Sequence, residues 1–420
     1  MKLKYNLFTY GTLLFVLLMP FYVLIKVFFE HKLGIGFFGV LIKEFMIFLL
    51  GLCVVYEYIK QRQFPKIDFL DIFIFLYLIY GIGITLVQGL SLEHIIYGGR
   101  YDYMFLGVFL IYKHGAKFLQ ISTQKVIQFF IYSASISLFF GILIKFLLGE
   151  TSLMYFGFSD YAGHWTFQGS IPSFHGLENS GIRRFQGILE GPNAMSYFLI
   201  VYGALILHLQ KIKFQFHNVI FVFFILWLVL LTYSRSAMLG IGIAGASLFL
   251  FHIRYIYRSV KKYILPLLLT LSIVIGSLSF LFQEKIYNVV VRPGSTTGHF
   301  ERMDVGIQRF IEQPMGSGLA TSGPAYRNVY PEKTTREDEL YYIPESWFIQ
   351  QLTEGGFIYF SLFLLIFLSI LWKLAKKSPI MMGALIAVLV MNIFLHIFES
   401  THMSSAFFLF IALIIYQKKN

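Results

Sequence analysis

Residues 218–253 read NVIFVFFILWLVLLTYSRSAMLGIGIAGASLFLFHI. Two apolar runs, 218–233 and 236–253, are parted by so short a turn that the second must double back beside the first. Each run approaches the roughly 20 residues a helix needs to cross the hydrocarbon core, and in lipid only helices or closed barrels satisfy their backbone polar groups. The stretch therefore reads as a transmembrane hairpin with Arg235 near its tip. The rest of the 420 residues shares this texture: 57% are hydrophobic and 13% charged, with a mean hydropathy of +0.70. A soluble domain carries roughly 25% charge, so the expectation is one all-α integral membrane domain over 1–420.

Further runs lie near 6–28, 34–58, 68–88, 95–112, 126–148, 192–209, 264–282, 346–371, 379–397 and 404–417, making twelve predicted spans with the hairpin. Taken alternately, the connections gather Lys60, Arg62 and Lys66, then Lys113, Lys117 and Lys125, then Lys211 and Lys213 on one side. The same side collects Arg254, Arg258, Lys261 and Lys262, then Lys373, Lys376 and Lys377, with Lys2, Lys4, Lys418 and Lys419 at the termini. By the positive-inside rule this is the cytoplasm, and both termini lie there. The net charge of +12 would raise the question of nucleic acid in a soluble protein; here its placement sets topology, and nucleic acid is not an expected partner. MKLKY precedes an apolar segment without a small-residue cleavage signal, which favours a retained first span over a removed leader. Cys53, the single cysteine, permits no internal disulfide and no cysteine-based metal site.

Two long hydrophilic segments, 149–191 and 283–345, fall on the opposite, extracytoplasmic face, the larger between spans nine and ten. Joining helices takes only a few residues, so loops of this length point to binding or catalysis. Nucleotide-binding GxxxxGKS/T, zinc-binding HExxH and nucleophilic GxSxG signatures are absent. Arginine on the outer face is what asks for a reason: Arg183 and Arg184 before the sixth span, Arg235 in TYSRSAM, and Arg302 in GHFERMD. Arg235 has the plain alternative of a snorkelling headgroup anchor; Arg184 and Arg302 have that of loop ion pairs with Glu190, Glu301 or Asp304. As a set they suit a polyanion, because guanidinium forks grip phosphate oxygens bidentately at any working pH. A lipid-linked pyrophosphate is such a ligand, and as a leaving group its growing charge is stabilised by the same side chains without a metal.

Glu345, in PESWFIQQLTEGG, reads either as a helix N-terminal carboxylate or as a general base whose pKa is raised by desolvation at the interface. Glu399 and His402 in FESTHMSS share a face if helical, as interface polar residues of a turn commonly do. Neither Lys43 with Glu44 nor Arg100 with Asp102 has helical face-to-face spacing, so each needs a partner elsewhere; Arg100 and Asp102 border the outer cavity or pair within the membrane. Trp165, Trp347 and Tyr341 are the outer-face aromatics for stacking on sugar rings.

These segments resemble the O-antigen polymerase and O-antigen ligase superfamily of bacterial surface polysaccharide assembly. The resemblance rests on RFQGILEGPNAMSYFL at 184–199, TYSRSAMLGIGIAG at 232–245, ERMDVGIQRFIEQPMGSG at 301–318 and ESWFIQQLTEGGFIYF at 345–360, in that order. It implies glycosyl transfer without metal or cofactor at the periplasmic face of the bacterial inner membrane, from an undecaprenyl pyrophosphate-linked oligosaccharide. Carried over by position, Arg184, Arg235 and Arg302 would cradle the pyrophosphate, with Glu345, Arg235 and Arg302 catalytic. Arg183, Arg184, Arg100, His402 and Trp347 are expected to bind substrate. Ligases of the family typically show His-Asn where this chain has Glu345-Ser346, which favours a polymerase over a ligase. A chain-length regulator is a partner the resemblance leaves open. A twelve-span transporter ranks behind both, since the halves are unequal and the polar residues gather at one face.

Overall fold

The computed structural model describes residues 5–160, 170–177, 181–210, 216–248, 293–332, 338 and 341–417. The predicted ninth span, Trp165 and the basic residues expected on the cytoplasmic side at 211, 213 and 254–262 lie outside them. Among the described residues the regular structure is helical but for one small hairpin. Its helices are α1 (Leu7–Lys32), α2 (Gly36–Lys60), α3 (Phe69–Val87), α4 (Leu92–Asp102), α5 (Met104–Gly115), α6 (Thr123–Leu148), α7 (Pro192–Gln210) and α8 (Phe216–Leu231). There follow α9 (helical over 235–248), α10 (Pro293–Glu312), α11 (Trp347–Lys377), α12 (Pro379–Ile393) and α13 (Thr401–Tyr416). Among the described residues, α1, α3, α6, α7 and α11 are the five long and apolar enough to cross a membrane. The helix α2 spans 25 residues but carries Lys43, Glu44 and Glu57 along it.

Where the spacing predicts one fourth span, the chain makes two helices that meet at Tyr103. The cause is tertiary. Gly81 of α3 has no side chain where the Tyr103 hydroxyl lodges, and Gly98 of α4 abuts Leu319, whose Cβ would lie 2.6 Å from an added methyl. The first long loop contains a two-stranded antiparallel hairpin, β1 (His175–Gly176) and β2 (Arg183–Arg184).

The core is organised around α13, in which every residue from Thr401 to Leu413 is buried, as befits a helix apolar on all sides. Its Phe408 ring lies 4.6 Å from Phe105 of α5, and Phe105 in turn stacks 5.1 Å from Phe398. On the outside, α2 presents Phe45, Phe48 and Tyr56, α3 presents Phe69 and Phe75, and α6 presents Tyr132 and Phe139. So much exposed aromatic surface suits lipid and not water.

In sequence the glycines at 316 and 318 read as turns in an ordered loop, and the pair at 355–356 as part of the next helix. In the fold they interlock. Gly356 adopts φ 68° and ψ −166°, which breaks α11 after its first two turns. Backbone freed by the break is satisfied by the loop: Ser317 and Gly318 N–H donate to the Thr353 and Glu354 carbonyls at 2.9 and 2.8 Å, and Phe357 N–H donates to Pro314 O at 3.1 Å. Backbone groups freed by such a break are costly unless buried groups pair in this way. The loop is clamped from the other side as Leu319 N–H reaches Thr85 Oγ1 and Gln88 Nε2 reaches Gly316 O.

That clamp sits at the end of α3 remote from Asp68. Nineteen helical residues put about 28 Å between them. At the Asp68 end, Lys113 Nζ lies 2.5 Å from Asp68 and 2.6 Å from Asp71, and Lys373 Nζ lies 3.2 Å from Asp68. Three basic connections thus meet at one end of the bundle and the glycine-rich loop at the other.

Candidate functional site

Neighbouring residues on a strand point to opposite faces, and β2 uses this to separate its two arginines. Arg183 turns outward to Glu150, 3.1 Å away, with its guanidinium 4.2 Å from the Phe174 ring centroid. Arg184 turns inward. Its Nε donates to the Thr232 carbonyl at 2.8 Å and its Nη2 to Asn193 Oδ1 at 3.1 Å, while Phe185 N–H donates to Leu231 O. The first loop is thereby pinned to the tip of the hairpin quoted at the outset. The tip itself is strained: Tyr233 holds φ at 50°, a left-handed conformation that a bulky residue adopts only under constraint.

Arg235 opens α9 and its Nη1 donates to Thr296 Oγ1 of α10 at 2.8 Å. Thr296, His299, Phe300 and Met303 fall at helical positions i, i+3, i+4 and i+7, one face of α10. This face, Arg184 and Arg235 enclose a cleft of about 270 Å³, closed at one side by Phe394 and Leu395. Two arginines predicted from segments about fifty residues apart thus line one cavity.

Arg302 projects from the same helix three residues after His299, and its Nη1 donates to Glu345 Oε1. His299 Nδ1 stands 2.6 Å from the other carboxylate oxygen. Glu345, too, sits at a positive φ, 51°. Strained non-glycine residues gather where the surrounding fold over-determines a geometry, and two of the four among the described residues border this cleft. The expectation of a raised Glu345 pKa is corrected. Burial does push it up, but the hydrogen bond and charge of His299 and the guanidinium of Arg302 outweigh that and hold it below its ordinary value. Arg302 thus pairs with the proposed base.

Other expected residues stand elsewhere. Arg183 is taken by Glu150, which also accepts from Lys145 at 2.7 Å. Arg100 donates to Glu44 at 2.8 Å, and Lys43 lies 3.2 Å from that same carboxylate. Lys43 and Glu44 thus do meet, because the long lysine chain folds back within a buried site that also receives Thr401. Asp102 accepts instead from Gln351 at 3.1 Å and Gln350 at 3.4 Å. His402 is buried, its ring stacked 5.4 Å from Tyr22 and its Nε2 3.9 Å from Glu190, which also accepts from Ser400. Trp347 is 0% exposed, walled in by Phe105, Phe363 and Phe398, so it is a core residue and not a sugar platform. Sequence reasoning missed Thr296, His299 and Asn193. The signal for His299 was its place three residues before Arg302 on one helical face.

A search of curated proteins finds no match to the chain. A family model described as O-Antigen ligase matches residues 220–364. The matched segment holds Arg235, Thr296, His299, Arg302 and Glu345, while Arg184 and Asn193 reach the cleft from outside it. The arginine turn, the cleft-lining helix and the paired carboxylate of this helical membrane protein all fall within the segment that is similar to the O-antigen ligase family, whose members are enzymes in surface polysaccharide assembly.

Proposed function

We propose that the chain is a polysaccharide polymerase of the bacterial inner membrane, extending a glycan carried on undecaprenyl pyrophosphate at the periplasmic face. The observation that carries this reading is the cleft in which Arg184 and Arg235 converge on His299, with the Arg302–Glu345 pair beside it. Two guanidinium groups on a cavity of this size, with apolar Phe300 and Phe394 in its wall, suit a diphosphate attached to a lipid. The bond from the anomeric carbon of the growing glycan to the phosphate oxygen breaks as a hydroxyl oxygen of the incoming lipid-linked repeat bonds to that carbon. The hydroxyl proton passes to Glu345, and undecaprenyl pyrophosphate leaves with its new charge facing Arg184 and Arg235. Diphosphate entering the cleft also draws Arg302 away from Glu345, which makes the carboxylate a better base at the moment it is needed. Twelve spans, cytoplasmic termini and loops 149–191 and 283–345 outside complete the reading. No metal or cofactor enters the steps, and a chain-length regulator remains an admissible partner.

The test is the surface polysaccharide of a strain lacking the chain. Lipid A core bearing one repeat unit is the expected product; core bearing none would identify a ligase instead. In a complemented strain, Arg235→Ala protein that reaches the membrane at normal level should leave only single repeats.

A further inference from the structure

A second cleft opens where α10 meets the end of the large loop. Its volume is about 230 Å³, room for a single sugar ring. Four tyrosines form its walls. The rings of Tyr326 and Tyr342 stack at 4.0 Å and 11°, Tyr330 lies 4.7 Å from Tyr326, and Tyr341 stands edge-on to Tyr342 at 4.7 Å. Arg309 is buried between them, with its guanidinium 5.2 and 4.9 Å from the Tyr341 and Tyr342 centroids and Nη2 donating to the Thr321 carbonyl at 3.1 Å. Tyr330 is fixed by its hydroxyl, 2.9 Å from His94 Nε2. Tyr341 is 45% exposed at the mouth, and Gln313 and Ser317 supply polar groups at the rim.

Flat aromatic faces beside fixed hydroxyl, amide and carbonyl groups fit the chemistry of a pyranose, one side of which is C–H and whose edge is hydroxyl. The cleft also stands in register with the site above. Arg309 follows Arg302 by two helical turns, about 10 Å along one face of α10, and Tyr341 precedes Glu345 by four residues. From this juxtaposition we infer that the tyrosine cleft is a saccharide subsite, which holds a sugar of the lipid-linked repeat while its hydroxyl is presented to Glu345. The identity of that sugar as part of the polymerase substrate rests on the function proposed above; the cleft's affinity for saccharide does not.

The probe is the oligosaccharide released by mild acid from the lipid-linked repeat, titrated by saturation-transfer NMR against the purified full chain in micelles. Wild type and Tyr341→Phe should bind it alike. Tyr341→Ala and Tyr330→Ala should bind about tenfold more weakly, as loss of one stacking contact would give, and Arg302→Ala should be unaffected. Equal affinity in wild type and both alanine variants, or no binding to wild type, overturns the subsite while leaving the polymerase reading intact. Saccharide binding that depends on Tyr341 in a chain that makes no polymer from lipid-linked repeats supports the subsite and overturns the polymerase reading.

Discussion

Glu345 is held by an arginine and a histidine of one helix, and that arrangement gives its titration a sign that kinetics can read. Its pKa is below its ordinary value in the free protein, so the base form persists as the pH falls into the ordinary carboxylate range. The acid limb of kcat/KM, which reports the free enzyme, should lie below that range. On the proposed function the acid limb of kcat, which reports the complex, should lie higher, because a bound diphosphate would share Arg302. Coincident limbs, or an acid limb retained in Glu345→Gln, would remove the carboxylate from the proton transfer. The same depressed pKa contributes stability that is present above the unfolded carboxylate value and lost on acidification through the folded one, so Glu345→Gln should flatten acid unfolding. For Arg235, replacement by Ala should cost about a hundredfold to a thousandfold in rate, and Lys should rescue little, since one ammonium cannot reproduce a fork.

Between elements, the clamp of the glycine-rich loop in the break of α11 fixes where α10 ends and hence where Arg302 and Arg309 stand. Gly356 has no room for a methyl, which would run into the Pro314 carbonyl and lie 2.7 Å from Gly316 N, and its φ of 68° strains any other residue. Gly356→Ala should lower stability by more than about 1 kcal/mol and should depress activity although no substrate touches it. Thermal unfolding in detergent together with the polymer assay checks this; a variant as stable and active as wild type would mean the loop docks without the break. The sequence showed both glycine motifs but not their union, because hydrogen bonds between residues such as Gly318 and Glu354 join positions that no local pattern relates. For the same reason the break at Tyr103 was unreadable: it answers to Gly81 on another helix. Helix-length apolar runs, whose cause is local, were legible, and so were Arg184 and Arg235 as a pair. Arg183 was misread for want of the hairpin that turns it away, and Trp347 because a tryptophan at a loop end looks the same in sequence whether it faces water or core.

At the scale of the molecule, the two ends of the bundle differ in chemistry. Lys113 and Lys373 converge on Asp68 at one, and the Ser317 loop docks beside Thr85 at the other, a helix length away. If the basic end faces the cytoplasm, the cleft opens to the periplasm, where the proposed function requires it. This is testable with little background because Cys53 is the single cysteine. In a Cys53→Ser chain, a cysteine introduced by Ser317→Cys, next to the clamp, or by Gln61→Cys, in the exposed turn after α2, reports its own side of the membrane. A membrane-impermeant maleimide applied to cells with a permeabilised outer membrane should label S317C directly and Q61C only after the inner membrane is breached. The reverse pattern would place the arginine cleft in the cytoplasm, away from any periplasmic acceptor, and the polymerase reading would fall with its topology.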